Sequence, residues 1–153
     1  MATPKQSVLI IEARFYGDIA DELAKGAITH LESEGTAYER LAVPGALEIP
    51  LALAIAVENG LIGARAKHQG CVALGCVIRG ETSHYDIVAG ESARALMTIA
   101  AQHALPLGNG ILTVENREQA QTRASAGGRN KGAAAAAACL ALMRLARETR
   151  AGA

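Results

Sequence analysis

The chain of 153 residues contains no tryptophan and one phenylalanine, Phe15, so its interior cannot depend on bulky aromatic side chains. Its charges also cancel, because 15 basic residues balance 15 acidic ones, and no strong field is available to hold nucleic acid or an acidic membrane surface. Any anionic ligand must therefore be held by local groups. A chain of this length predicts one domain, residues 1–153, built around one core.

Long apolar runs are also missing, since the longest uncharged one, residues 133–143, is far below the roughly 20 residues that cross a bilayer. The first residues show no signal-peptide core, and the sequence therefore predicts a soluble, cytoplasmic protein. Cys71, Cys76 and Cys139 lack the paired spacing of zinc ligands and lie in apolar surroundings. They are interpreted as buried, reduced thiols, and no metal site is expected.

What the sequence does contain is an alternation of short apolar or β-branched runs with longer segments of helical period. This alternation predicts an α/β fold in which helices cover both faces of a four-stranded parallel sheet. The predicted strands and helices do not leave room for a linker or a second domain. The strands cover residues 7–13, 37–43, 70–78 and 109–115, and the helices cover residues 18–34, 48–59, 83–104, 117–124 and 130–147.

Alanine is unusually frequent in the last predicted helix, where residues 133–138 are six consecutive alanines. Alanine favours a stable helix, and its small side chain also allows another backbone to approach closely. A core without large aromatic residues has little area to bury, so burial between subunits would help to stabilise the protein. The composition therefore favours self-association.

In open parallel sheets, ligands bind at the carboxyl ends of the strands, where loops lead into helices. The loop after the third predicted strand contains Gly80, Glu81 and Thr82, whose amides precede a helix N-terminus, a position that favours phosphate. The alternative is that this loop only caps the helix, with Ser83 and Asp86 forming a capping box. The residues alone leave both interpretations open.

His84 begins that helix, directly after the proposed anion site. The helix dipole disfavours an imidazolium there, so His84 is predicted to be neutral and able to accept a proton. The alternative is a surface histidine at a helix start. The other histidines, His30, His68 and His103, have no such neighbours and are predicted to lie on the surface.

Three further segments carry candidate ligand groups. In the loop after the second strand, Glu48 either completes the first turn of a helix or binds a polyol together with the amides near Ala46. Phe15 lies in a loop rather than in a core period, which favours stacking on a flat ring. Arg123 and Lys131 flank a glycine-rich loop, where they are either solvated helix ends or part of a phosphate site.

Taken together, these stretches resemble the lumazine synthases, the 6,7-dimethyl-8-ribityllumazine synthases of riboflavin biosynthesis. The resemblance extends from about Val8 to the last helix and is densest in VPGALEIP, GCVIRGETSHYDIV, NGILTVEN and NKG. It implies a flavodoxin-like three-layer αβα sandwich, assembled into homopentamers with active sites between subunits. It also implies a transferase that condenses 5-amino-6-(D-ribitylamino)uracil with 3,4-dihydroxy-2-butanone 4-phosphate, releasing phosphate and water without a metal or organic cofactor.

The resemblance also implies roles for individual residues. Phe15 would stack on the ring of the pyrimidine substrate. The ribityl chain would be held by Ala46, Leu47 and Glu48. The ring pocket would be lined by Cys76, Val77 and Ile78. Glu81 and Thr82 would bind the substrate phosphate. Arg123 of the neighbouring subunit would complete that site, with Lys131 nearby, and His84 would transfer protons.

Two positions depart from the family pattern. Asn109 stands where many members have phenylalanine, so the ring loses an aromatic wall that the neighbouring subunit would supply. The turn SAGGR, residues 125–129, differs from the GTKAG-like turn of members that form icosahedral shells. The resemblance therefore implies pentamers and leaves a larger shell open.

The competing hypothesis is a non-catalytic protein of the same fold that binds lumazine or flavin, or that only forms a shell. His84, Arg123 and Lys131 argue against it, because binding a flat ring needs neither a proton acceptor nor two cations. A nucleotide-binding module is disfavoured as well, because the sequence has neither a GxGxxG motif nor a P-loop.

Overall fold

The computed structural model describes residues 6–150 and places four strands in one sheet. The strands are β1 (Ser7–Ala13), β2 (Ala37–Val43), β3 (Gly70–Ile78) and β4 (Leu107–Val114). Their spatial order is β2-β1-β3-β4, and all three neighbouring pairs are parallel. The five helices are α1 (Gly17–Ser33), α2 (Glu48–Glu58), α3 (His84–His103), α4 (Arg117–Ala124) and α5 (Lys131–Glu148).

Helices cover both faces of this sheet. On one face, α1, α4 and α5 pack against strand side chains that include Val8 and Ile10 of β1. On the other face, α2 and α3 pack against alternate side chains, including Leu9 and Ile11. The two central strands, β1 and β3, are buried and mostly apolar along their length, as expected when helices cover both faces, whereas the edge strand β2 is largely exposed and carries charged residues. The predicted flavodoxin-like three-layer α/β sandwich is therefore confirmed.

The last helix approaches the sheet and α1 at backbone distance. A Cβ atom added to Gly108 of β4 would lie 1.8 Å from the carbonyl oxygen of Ala135 in α5. One added to Gly132 of α5 would lie 2.0 Å from the carbonyl oxygen of Leu23 in α1. Glycine is the residue that lets two backbones come so close. The close approach predicted for the alanine-rich helix is thus confirmed.

The same packing explains why β4 was predicted too short at its start. The strand begins at Leu107 rather than at residue 109, since Leu107 and Gly108 pair with Cys71 and Val72 of β3. Glycine inside a strand weakens the strand signal, although here it marks the place where α5 crosses. The sequence pattern could not distinguish that use of glycine from a turn.

The predicted surface position of His68 is wrong, because its side chain is fully buried. Its Nδ1 atom lies 2.8 Å from Ser7 Oγ, and its Nε2 atom lies 3.2 Å from a carboxylate oxygen of Glu39. Glu39 also pairs with Lys67. These partners attach the connection between α2 and β3 to the sheet, a tertiary contact that the local sequence does not reveal.

Within residues 6–150, no helix has the length and hydropathy to cross a membrane.

We expect Gly132→Ala to lower the free energy of unfolding by about 1–3 kcal/mol, because the new methyl group would force α5 away from α1. Urea unfolding at one fixed protein concentration measures this loss. The matched control is Gly127→Ala, in the exposed loop before α5, where the nearest atom to a new Cβ is 3.9 Å away. It should change the free energy by about 0.5 kcal/mol or less. Equal losses in both variants would contradict a close approach at Gly132.

Candidate active site

A cavity of about 460 Å³ opens where β1, β2 and β3 end. This is the point in the sheet where β1 has β2 on one side and β3 on the other, so the connecting helices leave toward opposite faces. Such a divergence creates a crevice at the carboxyl ends of the strands. The cavity therefore lies where the sheet order predicts a ligand site.

Most of the residues proposed from the sequence meet in this cavity. Those that line it are Phe15, Ala46, Leu47, Glu48, Cys76, Val77, Ile78, Thr82 and His84. Glu81 lies between two lining residues, Gly80 and Thr82, but is not itself part of the wall. Asn109, Arg123 and Lys131 are outside the wall of this chain's own cavity. The roles suggested for all of these residues stay predictions.

The loop after β1 supplies an exposed aromatic surface. The side chain of Phe15 is 74 % exposed, although aromatic residues usually bury most of their area. Its ring meets the ring of Tyr16 edge to face, with the centroids 4.9 Å apart. Most of the Phe15 side chain is therefore accessible to a flat ligand.

The loop after β2 supplies a carboxylate and a tight turn. Glu48 is the first residue of α2, and its amide donates a hydrogen bond to the carbonyl of Gly45 at 3.1 Å. Its carboxylate folds back over the loop, since one oxygen lies 3.2 Å from where a Cβ of Gly45 would be. The loop thus combines a negatively charged acceptor with backbone donors, which suits a ligand carrying several hydroxyl groups.

The helix start at His84 is as predicted, but the predicted capping box is wrong. Ser83 has helical backbone angles rather than the extended ones of a capping residue, and its side chain makes no capping hydrogen bond. Asp86 turns instead toward Arg79, at 3.5 Å. The His84 amide donates to the hydroxyl of Thr82 at 3.3 Å, so the side chain of Thr82 provides the local contact at the helix start.

Beside this helix start, the backbone is available to an anion. Among residues 6–150, no hydrogen-bond acceptor is found for the amides of Gly80, Glu81 and Thr82. Gly80 and Thr82 also line the cavity. Free amides at the positive end of a helix dipole favour a bound phosphate or carboxylate.

Two tyrosines that the sequence reasoning missed also line the cavity. The guanidinium carbon of Arg79 lies 4.2 Å from the ring centre of Tyr85, and that of Arg117 lies 5.5 Å from the ring centre of Tyr16. Both arginines also pair with carboxylates, Arg79 with Glu115 and Arg117 with Asp18. Tyr16 and Tyr85 directly follow Phe15 and His84 in the sequence. This adjacency could have indicated that both tyrosines lie at the same site.

The residues outside the cavity make local contacts of their own. Asn109 accepts a hydrogen bond from the amide of Ile111 at 2.9 Å, within β4. Arg123 donates to the carbonyl of Gln119 at 3.2 Å, within α4. Lys131 begins α5.

Cys76 is the thiol that faces the cavity. Burial raises its pKa to about 11, whereas Cys71 and Cys139 lie deeper in the core and have raised pKa values for the same reason. All three are free cysteines, as predicted, although Cys76 is only partly buried. Within residues 6–150, no three His, Cys, Asp or Glu side chains come together as a metal site would need.

A parallel α/β sandwich with a cavity at the carboxyl ends of its strands defines the flavodoxin-like class, whose ligands bind at this edge of the sheet. A family model described as 6,7-dimethyl-8-ribityllumazine synthase matches residues 5–147. The chain belongs to the 6,7-dimethyl-8-ribityllumazine synthase family, as the motifs predicted.

Several relatives carry the name of that synthase. The protein from Methylorubrum populi is 57 % identical over 140 residues, which cover 92 % of this chain and 82 % of that one. The protein from Afipia carboxidovorans is 49 % identical over 160 aligned positions, which cover 97 % of this chain and 98 % of that one. The protein from Agrobacterium fabrum is 52 % identical, with 92 % and 95 % covered. The similarity therefore covers between 82 % and 98 % of the length of these relatives.

We expect Cys76 to be alkylated by iodoacetamide about a hundredfold more slowly at pH 8 than free cysteine, because burial keeps the thiol protonated. The rate should still be rising steeply at pH 10, whereas that of free cysteine levels off above about pH 9. Mass spectrometry of the digested protein measures each cysteine separately. Rapid alkylation that reaches a plateau near pH 8.5 would contradict the raised pKa.

Proposed function

We propose that this chain synthesises 6,7-dimethyl-8-ribityllumazine, acting as a transferase of riboflavin biosynthesis. Its substrates would be 5-amino-6-(D-ribitylamino)uracil and 3,4-dihydroxy-2-butanone 4-phosphate, and phosphate and water would leave. One observation carries this proposal: a single cavity combines an exposed phenylalanine face with free amides beside a histidine at a helix start. Relatives with the synthase name along nearly the whole chain support the same reaction.

In this proposal, the pyrimidine substrate lies against the loops after β1 and β2. Phe15 would stack on its ring, and Cys76, Val77 and Ile78 would form the edge of the pocket. The ribityl hydroxyls would meet the backbone of residues 46–48 and the Glu48 carboxylate. Each hydroxyl can donate and accept, and this loop offers both kinds of partner.

The phosphorylated substrate would be held at the start of α3. The free amides of residues 80–82 and the Thr82 hydroxyl can donate to a phosphate. Neutralising a doubly charged phosphate calls for cations as well, and Arg123 and Lys131 lie outside this chain's own cavity. We therefore assign them to the cavity of the neighbouring subunit, together with Asn109 as a wall of the ring pocket.

His84 would move protons between the two substrates. Attack of the amine on the ketone, loss of phosphate and ring closure each require a proton to be taken up or returned. His84 lines the cavity at the N-terminus of α3, beside the free amides that precede the helix. The remaining rate enhancement would come from holding both substrates in one orientation.

Self-association into pentamers is part of the same proposal. Four apolar side chains on α2 and α3 are more than half exposed: Leu51, Ile55, Ile87 and Met97. These two helices pack beside each other on one face of the sheet, so the exposed side chains form an apolar surface there. Burial of this surface between copies would bring the cations of one subunit to the cavity of the next.

We place this enzyme in the cytoplasm, where its charged phosphorylated substrate would be retained because phosphate does not cross a bilayer unaided.

The direct test is turnover of the two purified substrates, with product absorbance and phosphate release recorded together. We expect both to appear at the same rate. Replacing His84 with alanine should lower kcat about tenfold or more, because proton transfer is lost while substrate orientation remains.

The matched control is His103→Ala at the other end of α3, which should leave the rate unchanged. An unchanged rate for His84→Ala would remove His84 from the mechanism. Ring binding by the wild-type protein without phosphate release would instead indicate a binding or shell protein.

Substitution in the apolar surface tests self-association. We expect Met97→Glu to shift the protein toward smaller species in light scattering at micromolar concentration, because a charge would be buried without a partner. Leu145→Glu on α5 is the control, since Leu145 is also more than half exposed but lies on the other side of the sheet, about four helical turns away from Lys131. A monomeric wild-type protein, or equal masses for all three proteins, would contradict the assignment of this surface.

A further inference from the structure

We propose that Glu12 is a positioning residue that fixes the loops after β1 and β2 and thereby holds Phe15 over the cavity. The proposal rests on the proposed function, because its consequence is measured on the binding of the pyrimidine substrate. Glu12 is the last but one residue of β1 and does not itself line the cavity. It would act through Arg14 and Arg40.

Glu12 is unusual because it is a carboxylate inside a buried strand. Only 2 % of its surface is exposed, and it shares its side of β1 with Val8 and Ile10, which belong to the apolar core. A glutamate is almost never buried to this extent unless it is paired. Its partners therefore determine what it does.

Two arginines satisfy this carboxylate. Arg40 of β2 binds it with two nitrogens, Nε to Oε2 at 2.7 Å and Nη2 to Oε1 at 2.9 Å. Arg14 adds a third bond, from Nη1 to Oε1 at 2.6 Å. Burial alone would raise the pKa of Glu12, but the hydrogen bonds and charges of Arg40 and Arg14 outweigh it and hold the pKa below its usual value. Glu12 is therefore ionised at neutral pH.

Arg14 connects Glu12 to the loop that carries Phe15. Its side chain also pairs with Asp21 of α1, and its amide donates to the carbonyl of Val43 at 3.1 Å. Residue 14 is thus fixed through both its side chain and its backbone. Phe15 follows directly and is largely exposed, so packing alone cannot determine where its ring lies.

The same contacts reach the second loop. Val43 ends β2 and directly precedes Pro44 and Gly45, which line the cavity. One buried carboxylate therefore connects β1, β2 and α1 just below two walls of the cavity. Stability alone gives little reason for such a cluster, because a buried ion pair is often no more stabilising than apolar residues of similar size.

The test is a kinetic comparison of Glu12→Gln with wild type in the assembled enzyme. The amide keeps the shape of the side chain but loses the charge that holds both arginines. We expect the KM for the pyrimidine substrate to rise about tenfold, because the stacking ring is no longer held in place, while the KM for the phosphorylated substrate stays within about twofold. A fluorescence titration with 6,7-dimethyl-8-ribityllumazine should show the same loss of ring affinity without turnover.

The matched control is Glu39→Gln, which removes a carboxylate of β2 whose partners, Lys67 and His68, lie away from the cavity. Its KM values should match those of wild type. If Glu12→Gln does not fold, Arg40→Lys provides the second variant, since it keeps the charge but cannot bind with two nitrogens. It should show a smaller change in the same direction.

The two proposals fail in different ways. A wild-type protein without turnover would overturn the proposed reaction, and the fluorescence titration would still measure ring binding in each variant. An active wild type together with a folded Glu12→Gln variant of unchanged KM and ring affinity would overturn the positioning role. A loss of thermal stability with equal changes in both KM values would also overturn it, because that pattern indicates a structural role only.

Discussion

The parallel pairing of β1 with both β2 and β3 is the constraint on which the site depends. It brings the carboxyl ends of three strands to one edge, so the loops that follow them face one another across a crevice. The aromatic face, the carboxylate and the helix start with its free amides come from loops far apart in sequence. No local interaction among these loops would bring them together without the sheet.

Small residues take the place of large ones in this core. Gly108 and Gly132 let α5 lie against the sheet and α1 at backbone distance, which compensates for the scarcity of aromatic side chains. The remaining large apolar side chains are partly left on the surface of α2 and α3. The small residues therefore allow close packing inside the subunit, and the exposed apolar side chains on α2 and α3 favour association between subunits.

Much of the fold could be predicted because both faces of the sheet are buried. The predicted bounds of three strands agree with the structure: β1 and β3 are mostly apolar and buried, whereas β2 lies at the edge of the sheet and is largely exposed. The start of β4 was missed because Gly108 serves helix packing rather than a turn. The cavity loops could be located from strand ends alone, whereas the burial of Glu12 and His68 could not. Their partners, Arg40 and Glu39, are 28 and 29 residues away in the chain.

The proposed active site depends most on the division of one site between two subunits. Mixed oligomers of His84→Ala and Arg123→Ala test this division directly, at a low concentration of phosphorylated substrate where each variant alone is slow. In randomly mixed rings of equal composition, about one quarter of the sites combine an intact His84 with an intact Arg123 of the neighbour. Recovery of about a quarter of wild-type turnover is the predicted result. Turnover no higher than the average of the two separate variants would show that Arg123 does not serve the cavity of another subunit.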